Sequence, residues 1–141
     1  TGGLGYIGTE LCKLYSGVSW HHKITVIDNR FISERVNQIR NWNMEFIHGD
    51  ILDKELIAKY CKDADVVHHL AGITNVPRTK SESDSLYDAK IKEVGEKGTQ
   101  NILDLSGFCI TCRSGCTQHV SKPNRCAERL LDLYASFEGE N

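Results

Sequence analysis

The sequence predicts an α/β fold in which helices cover both faces of a parallel sheet, the doubly wound architecture. Short apolar segments typical of buried strands alternate with segments of helical periodicity along residues 23–105, and this alternation is typical of parallel sheets. The chain also opens on three glycines spaced three residues apart, Gly2, Gly5 and Gly8, directly before an apolar helical segment. Such a glycine-rich strand-to-helix turn is typical of doubly wound folds.

Periodicity and capping residues place the elements along the chain. Helices are predicted over residues 6–16, 33–42, 54–61 and 85–105, and strands over 23–27, 44–48, 65–70 and 108–111. We expect Ile7, Leu11 and Leu14 to form the buried face of the first helix, Asp53 to cap the third helix, and residues 71–84 to form a polar loop.

Composition fits one globular domain of 141 residues, with 40% apolar and 26% charged residues. A net charge of −2 gives no electrostatic reason to bind nucleic acid or an anionic membrane, and no apolar stretch approaches the length of a membrane span. Cys12 and Cys61 fall in helical patterns and are expected to be buried thiols. We expect a cytoplasmic protein.

Three segments divide the chain. Residues 1–106 form the predicted dinucleotide-binding core, residues 107–126 are irregular and rich in cysteine, and residues 127–141 form an amphipathic helix and tail.

The three glycines suit a dinucleotide pyrophosphate. Gly2 would permit a tight turn, Gly5 would let the backbone approach the phosphates, and Gly8 would let the following helix pack closely. The N–H groups at the helix start, near Tyr6 and Ile7, and the helix dipole would then hold the anion. Because this pattern normally follows a strand, we expect the first strand to be absent. The complete doubly wound sheet has the strand order 3-2-1-4-5. Loss of strand 1 would therefore leave its two neighbours, strands 2 and 4, with unpaired edges.

Asp28 ends the first strand in this sequence, twenty residues after Gly8, where an acid hydrogen-bonds the adenosine ribose. The alternative is an aspartate that favours a turn with Asn29. A carboxylate about 4 Å from a 2′-phosphate costs about 4 kcal/mol per charge pair at an effective dielectric near 20, which is about a thousandfold in affinity. Arg30 would offset part of this cost, and the sequence favours NAD over NADP.

The ends of the next two strands supply further candidates. Asp50 could accept from an adenine amino group while Ile51 packs on the ring, or the pair could simply form a turn at a helix start. The small residues after His69 would let the backbone approach the cofactor. His68 and His69 point in opposite directions along a strand, so one faces the core and the other could face the site, although a structural role is commoner for a strand histidine.

These segments, in this order, resemble the extended short-chain dehydrogenase/reductase family, the NAD-dependent epimerases and dehydratases of nucleotide sugars. The matching segments lie within residues 1–105 and include residues 98–103, although Gly95 stands where many members have asparagine. The resemblance implies a Rossmann-type sheet and cofactor-binding residues Gly2, Gly5, Tyr6, Ile7, Gly8, Asp28, Asn29, Asp50, Ile51, Leu70, Ala71 and Gly72.

The resemblance implies that bound NAD transiently oxidises a sugar hydroxyl. The longer parent protein would bind a nucleotide sugar in a C-terminal domain that is absent here, and would form a homodimer.

The family's catalytic Tyr-x-x-x-Lys pair has no match in this chain. A lysine and the nicotinamide charge lower the tyrosine pKa, so that the phenolate takes a proton as hydride moves to NAD. No tyrosine here has a lysine four residues later, and Gln118, which cannot ionise, stands four residues before Lys122. Lys122 is therefore the sole catalytic candidate, and we expect this chain to be inactive. A reading-frame error, a deletion or genuine divergence of residues 107–126 would each explain the difference.

Two alternatives to an enzyme stay open. The first is a non-catalytic NAD(P)-binding sensor or scaffold module, which the missing tyrosine favours. The second is a metal-stabilised module, because soft ligands cluster near the end of the chain. These ligands are Cys109, Cys112, Cys116, His119 and Cys126. A single Cys-x-x-Cys is a weak zinc pattern, and we predict no metal.

Overall fold

Two pairs of parallel strands, flanked by helices, form the centre of the fold. A computed structural model describes residues 1–73, 85–105 and 109–111. The strands are β1 (Thr25–Asp28), β2 (Glu45–His48), β3 (Val67–His69) and β4 (Cys109–Thr111). The helices are α1 (Tyr6–Tyr15), α2 (Ser33–Asn41), α3 (Lys54–Cys61), α4 (Ser85–Lys92) and α5 (Thr99–Leu105), with a π-helical segment, Glu93–Gly98, between α4 and α5.

The first two residues of the chain lie between the two strand pairs. The Gly2 N–H donates to the Ile27 carbonyl oxygen over 2.8 Å, and the Leu70 N–H donates to the Thr1 carbonyl oxygen over 3.0 Å. The Thr1 amino group donates to the His68 carbonyl oxygen over 2.7 Å. The spatial order is therefore β2, β1, residues 1–2, β3, β4. Thr1 and Gly2 bridge the two pairs only at the carboxyl ends of β1 and β3, through Ile27, His68 and Leu70.

Both faces of the β1–β2 pair are covered, as a doubly wound sheet requires. Val26 and Ile27 are adjacent in β1 and point to opposite faces. Val26 belongs to one buried apolar cluster and Ile27 to another. The first cluster comprises Leu4, Cys12, Val26, Val36, Ile39 and Met44. The second comprises Ile27, Ile51, Ile57, Cys61, Val67, Val94 and Ile102.

Helix α1 buries a different face from the one that periodicity predicts. Ile7 and Leu14 are 57% and 68% exposed, whereas Gly8 and Cys12 are buried. A β-carbon at Gly8 would overlap the Gly2 carbonyl oxygen and lie 2.7 Å from the Gly3 α-carbon. Gly8, which has no side chain, therefore packs against the preceding turn. Cys12 lies one turn later on the same face and is buried in the core.

The other elements follow the predictions closely. Helix α3 has the predicted bounds, and the Asp53 carboxylate caps it by accepting from the Leu56 N–H over 3.0 Å. The predicted strand over residues 65–70 is shorter in the structure, Val67–His69. The helix predicted over residues 85–105 is continuous but includes the π-helical segment.

Several predictions lie outside the described residues. These include the amphipathic helix and tail over residues 127–141, the candidate Lys122, most of the loop over residues 71–84 and the cysteines beyond Cys109. Within residues 1–73, 85–105 and 109–111, no helix is long and apolar enough to cross a membrane.

Candidate functional site

The glycine turn, residues 2–5, connects the strand pairs to α1. Gly2 has a φ of +75°, a conformation that favours glycine. A β-carbon on Gly2 would lie 2.5 Å from the Ala71 nitrogen and 2.6 Å from the Leu70 carbonyl carbon. The Gly5 N–H donates to the Gly2 carbonyl oxygen over 3.1 Å and closes the turn. Gly2 is therefore required both by its own backbone conformation and by the backbone that follows β3.

The amino end of α1 is open to solvent and has no side-chain cap. Gly5 is the N-cap residue and supplies no side-chain hydrogen bond, while Tyr6 and Ile7 are 83% and 57% exposed. The first N–H groups of an α-helix have no intrahelical acceptor, and with the helix dipole they favour an anion. This end of the turn is therefore suited to a phosphate group.

Asp28 ties the end of β1 to the glycine turn. Its carboxylate is buried, and its Oδ2 accepts from the Leu4 N–H over 2.9 Å. Its Oδ1 accepts from the Arg30 N–H over 3.0 Å and lies 3.4 Å from Arg30 Nε. Asp28 thus lies beside the turn, as the ribose prediction requires, and it also has a structural role. Each carboxylate oxygen can accept more than one hydrogen bond.

Asn29 and Asp50 meet at the carboxyl ends of β1 and β2. Asn29 Nδ2 donates to Asp50 Oδ2 over 3.0 Å, and Asp50 Oδ1 accepts from the Leu52 N–H over 2.9 Å. Ile51 is only 5% exposed and belongs to the core cluster. Its carbonyl oxygen accepts from Asn101 Nδ2 over 3.0 Å. The polar pair faces the predicted cofactor edge, while the Ile51 side chain lies in the core.

His69 is a structural residue in this fold. It is 4% exposed, with Nδ1 2.7 Å from the Thr1 hydroxyl and Nε2 3.1 Å from the Thr99 hydroxyl. Burial lowers the pKa of His69 to about 4. His68 Nε2 lies 2.9 Å from the Tyr15 hydroxyl, and burial lowers the pKa of His68 as well. Both rings have hydroxyl partners and favour the neutral form, which supports structural roles.

Leu70, Ala71 and Gly72 continue from β3 beside the glycine turn. The Leu70 N–H is paired with Thr1, and a β-carbon at Gly72 would meet no atom within 4 Å. The candidate residues thus gather where β1, β2 and β3 end, and in open parallel sheets ligands bind outside these carboxyl ends. This position supports a cofactor site.

Sequence reasoning missed some residues that build this site. A β-carbon at Gly3 would overlap Val26 Cγ1, so Gly3 is needed for the turn to pack on β1. Arg35 Nη1 donates to the Leu4 carbonyl oxygen, and Thr99 contacts His69. The adjacent glycines Gly2 and Gly3 could have indicated that Gly3 also packs closely. The contacts of Arg35 and Thr99 join residues 31 and 30 positions apart, so no local pattern indicates them.

A metal site does not form within the part of the chain that the structure describes, since no group of three or more candidate ligands is present there. Cys12 and Cys61 are buried, and burial raises the pKa of each thiol. This confirms their predicted role as buried thiols.

The model of the 3-beta hydroxysteroid dehydrogenase/isomerase family matches residues 1–113.

Two curated relatives have names that give a nucleotide sugar as their substrate. The chain is 33% identical over 104 residues to a UDP-N-acetyl-alpha-D-glucosaminuronate decarboxylase of Bacillus cytotoxicus, covering 73% of this chain and 30% of that protein. It is 30% identical over 110 residues to a dTDP-D-glucose 4,6-dehydratase of Dictyostelium discoideum, covering 74% and 24%. The chain therefore spans about a third or less of the length of these relatives.

Solved structures share the fold. A double mutant of the dTDP-glucose 4,6-dehydratase DesIV from Streptomyces venezuelae, solved with NAD, matches with a TM-score of 0.60 and 24% identity over 77% of this chain and 36% of that one. A UDP-glucose-4-epimerase from Stenotrophomonas maltophila, also solved with NAD, matches with a TM-score of 0.63 and 18% identity over 99% and 48%. These matches confirm the Rossmann-type α/β fold.

Proposed function

We propose that this chain, which belongs to the 3-beta hydroxysteroid dehydrogenase/isomerase family, forms the NAD-binding part of an enzyme that acts on a nucleotide sugar. The motifs in residues 1–105 likewise resemble the extended short-chain dehydrogenases/reductases. Its curated relatives named above are a nucleotide-sugar decarboxylase and a dehydratase. The observation that carries the proposal is the glycine turn, whose geometry suits a dinucleotide pyrophosphate.

The residues present fit NAD. The turn at Gly2 leaves no space for a side chain, while the uncapped amino end of α1 offers N–H groups near Tyr6 and Ile7. Asp28 lies beside this turn with its carboxylate fixed by the Leu4 N–H. The pyrophosphate would therefore be held at α1 and the adenosine ribose at Asp28.

Other candidates would hold the two ends of the cofactor. Asp50, fixed by Asn29, would accept from the adenine amino group. The Ile51 side chain lies in the core, so the predicted packing of Ile51 on the adenine ring is not part of the proposal. Leu70, Ala71 and Gly72 would lie along the nicotinamide half. Bound NAD would supply the hydride acceptor for transient oxidation of a sugar hydroxyl.

We further propose that the complete enzyme epimerises or dehydrates the sugar. This step follows the oxidation by NAD. It needs a proton-transfer residue, for which Lys122 is the candidate in the sequence. A non-catalytic NAD(P)-binding sensor or scaffold is the second candidate function. It is favoured by one observation, that no tyrosine of the chain has a lysine four residues later.

The experiment compares NAD affinity between two matched variants on α1. Ile7→Glu places a carboxylate in the first turn, where it suits the helix dipole but repels a phosphate. Leu14→Glu makes the same change two turns away, at a position that is 68% exposed. We expect isothermal titration to show NAD binding by the unaltered chain, at least tenfold weaker binding by Ile7→Glu, and unchanged binding by Leu14→Glu. No NAD binding, or an equal effect of both variants, would contradict the proposal.

Resequencing the source nucleic acid across codons 105–128 separates the two candidate functions. A Tyr-x-x-x-Lys segment in the corrected sequence would support the enzyme. The sequence as it stands would support the binding module.

A further inference from the structure

An open cavity of about 550 Å³ lies at the amino ends of β1 and β2, and pockets for small organic ligands occupy about 300–1,000 Å³. Its lining comes from the loop before β1, the end of α2 and the start of β2, and includes Trp20, His21, His22, Lys23, Arg40 and Glu45. Asp28 lies at the opposite end of β1, about 10 Å from Thr25 along the strand. The cavity is therefore separate from the candidate dinucleotide site.

Hydrogen bonds join the walls of this cavity. The Glu45 N–H donates to the Ile24 carbonyl oxygen over 2.9 Å, so the two strands begin side by side. Asn43 has a φ of +58°, which asparagine adopts more readily than most residues, and its Nδ2 donates to the Ser19 carbonyl oxygen over 3.4 Å. Ser19 and Met44, which also line the cavity, are buried. The cavity is therefore formed before any ligand binds, which reduces the free-energy cost of ordering it.

The lining of the cavity is positively charged, although the whole chain has a net charge of −2. Lys23 and Arg40 contribute two positive charges, against the single carboxylate of Glu45. Glu45 Oε2 lies 3.9 Å from Lys23 Nζ and accepts from the Thr25 hydroxyl over 3.1 Å. Among the residues that the structure describes, Arg40 forms no salt bridge. Its guanidinium is therefore available to an anion.

The carboxyl end of α2 opposes this charge only in part. The dipole of a helix places about half a negative charge at its carboxyl end, whereas Lys23, Arg40 and Glu45 together leave one full positive charge. The N–H groups of Trp42 and Asn43 donate to carbonyl oxygens of the last turn, including that of Arg40. These carbonyl groups are therefore already satisfied, and the positive charge prevails in the cavity.

We propose that this cavity binds a small organic anion, a phosphate or a carboxylate joined to a planar apolar ring. Arg40 would bind the oxyanion through paired N–H donors, which suit both head groups, and Lys23 would add a second positive charge. Trp20 is 75% exposed and would stack on the ring of the ligand. This inference does not depend on the proposed dinucleotide function, because the two sites use opposite ends of the strands.

The test measures the binding of phenyl phosphate, benzoate and inorganic phosphate to the full chain by isothermal titration. We expect phenyl phosphate or benzoate to bind with a dissociation constant of about 1 mM or lower, and the tighter of the two identifies the head group. Arg40→Gln should weaken that binding at least about tenfold, because it removes a charged hydrogen bond. Lys54→Gln is the control, since it removes one positive charge from an exposed position in the first turn of α3, and it should leave binding unchanged.

A second pair of measurements tests the ring contact and the separation of the sites. Phenyl phosphate should bind more tightly than inorganic phosphate, and Trp20→Ala should remove this difference. Saturating NAD should not displace the organic anion. Displacement by NAD would place the anion at the glycine turn and overturn the inference while leaving the proposed function intact.

Three other results would also overturn the inference. They are no saturable binding of either organic anion, equal weakening by Arg40→Gln and Lys54→Gln, and equal affinity for phenyl phosphate and inorganic phosphate. If Arg40→Gln does not fold, Lys23→Gln provides the same comparison with Lys54→Gln.

Discussion

Substitution of Gly2 by alanine tests whether the glycine turn holds the fold together. The φ of +75° at Gly2 costs a residue with a β-carbon about 1–2 kcal/mol. The new β-carbon would also lie 2.5 Å from the Ala71 nitrogen and 2.6 Å from the Leu70 carbonyl carbon. These are backbone atoms and cannot move aside as a flexible side chain could, so overpacking adds about 1–3 kcal/mol. We expect Gly2→Ala to lower the free energy of unfolding by about 3 kcal/mol.

Urea unfolding followed by tryptophan fluorescence and circular dichroism measures this loss. With a denaturant slope of about 2 kcal/mol per molar urea, a loss of about 3 kcal/mol lowers the midpoint by about 1.5 M. Gly17→Ala is the matched control, because a β-carbon there meets no atom within 4 Å, and we expect a change within about 0.5 kcal/mol. If both variants unfold at the same urea concentration, the backbone at Leu70 and Ala71 does not require glycine at position 2.

Three further predictions address the cap, a buried histidine and the ribose contact. Asp53→Ala should lower the free energy of unfolding by about 1 kcal/mol through loss of the α3 cap, while Asp53→Asn should keep most of it in the same urea assay. His69 has a folded pKa of about 4 against about 6.5 when unfolded, so acid protonates the unfolded chain first. The contribution of His69 to the free energy of unfolding should be complete above pH 6.5 and fall by about 3 kcal/mol toward pH 4. Urea titrations at several pH values should show that His69→Gln removes this pH dependence, whereas the control His22→Gln retains it. Asp28→Ala in the intact parent should shift the ratio of NAD to NADP affinity toward NADP, and an unchanged ratio would remove the ribose role of Asp28.

The sequence predicted best the elements whose signals are local. Helix α3 was placed at its observed bounds because its signals are local: Asp53 caps it from the preceding position, and its apolar positions are Leu56, Ile57 and Tyr60. The strands were placed within two residues at each end, since short apolar runs and the polar residues after them mark strand ends. The parallel pairing followed from the alternation of strands and helices.

Contacts between distant segments could not be predicted in the same way. The face that α1 buries is decided by Gly8 against the Gly2 carbonyl oxygen, and hydrophobic periodicity carries no information on that contact. The partners of His69 lie 68 and 30 residues away, at Thr1 and Thr99. The sequence indicated that one histidine would face the core, but the hydroxyl groups that satisfy it became apparent only once the chain was folded.

The candidate site contains residues of two physical kinds, and only one kind reports on ligand binding. Gly2, Gly8 and Asp28 make close contacts that the fold itself needs, so loss of binding on their substitution would be accompanied by loss of stability. Ile7 is more than half exposed, so substitution there disturbs little packing. Since surface substitutions change stability by about 0.5 kcal/mol or less, an affinity change of tenfold or more at Ile7 would come from the ligand contact. Ile7 therefore gives the cleanest evidence for a dinucleotide at the glycine turn.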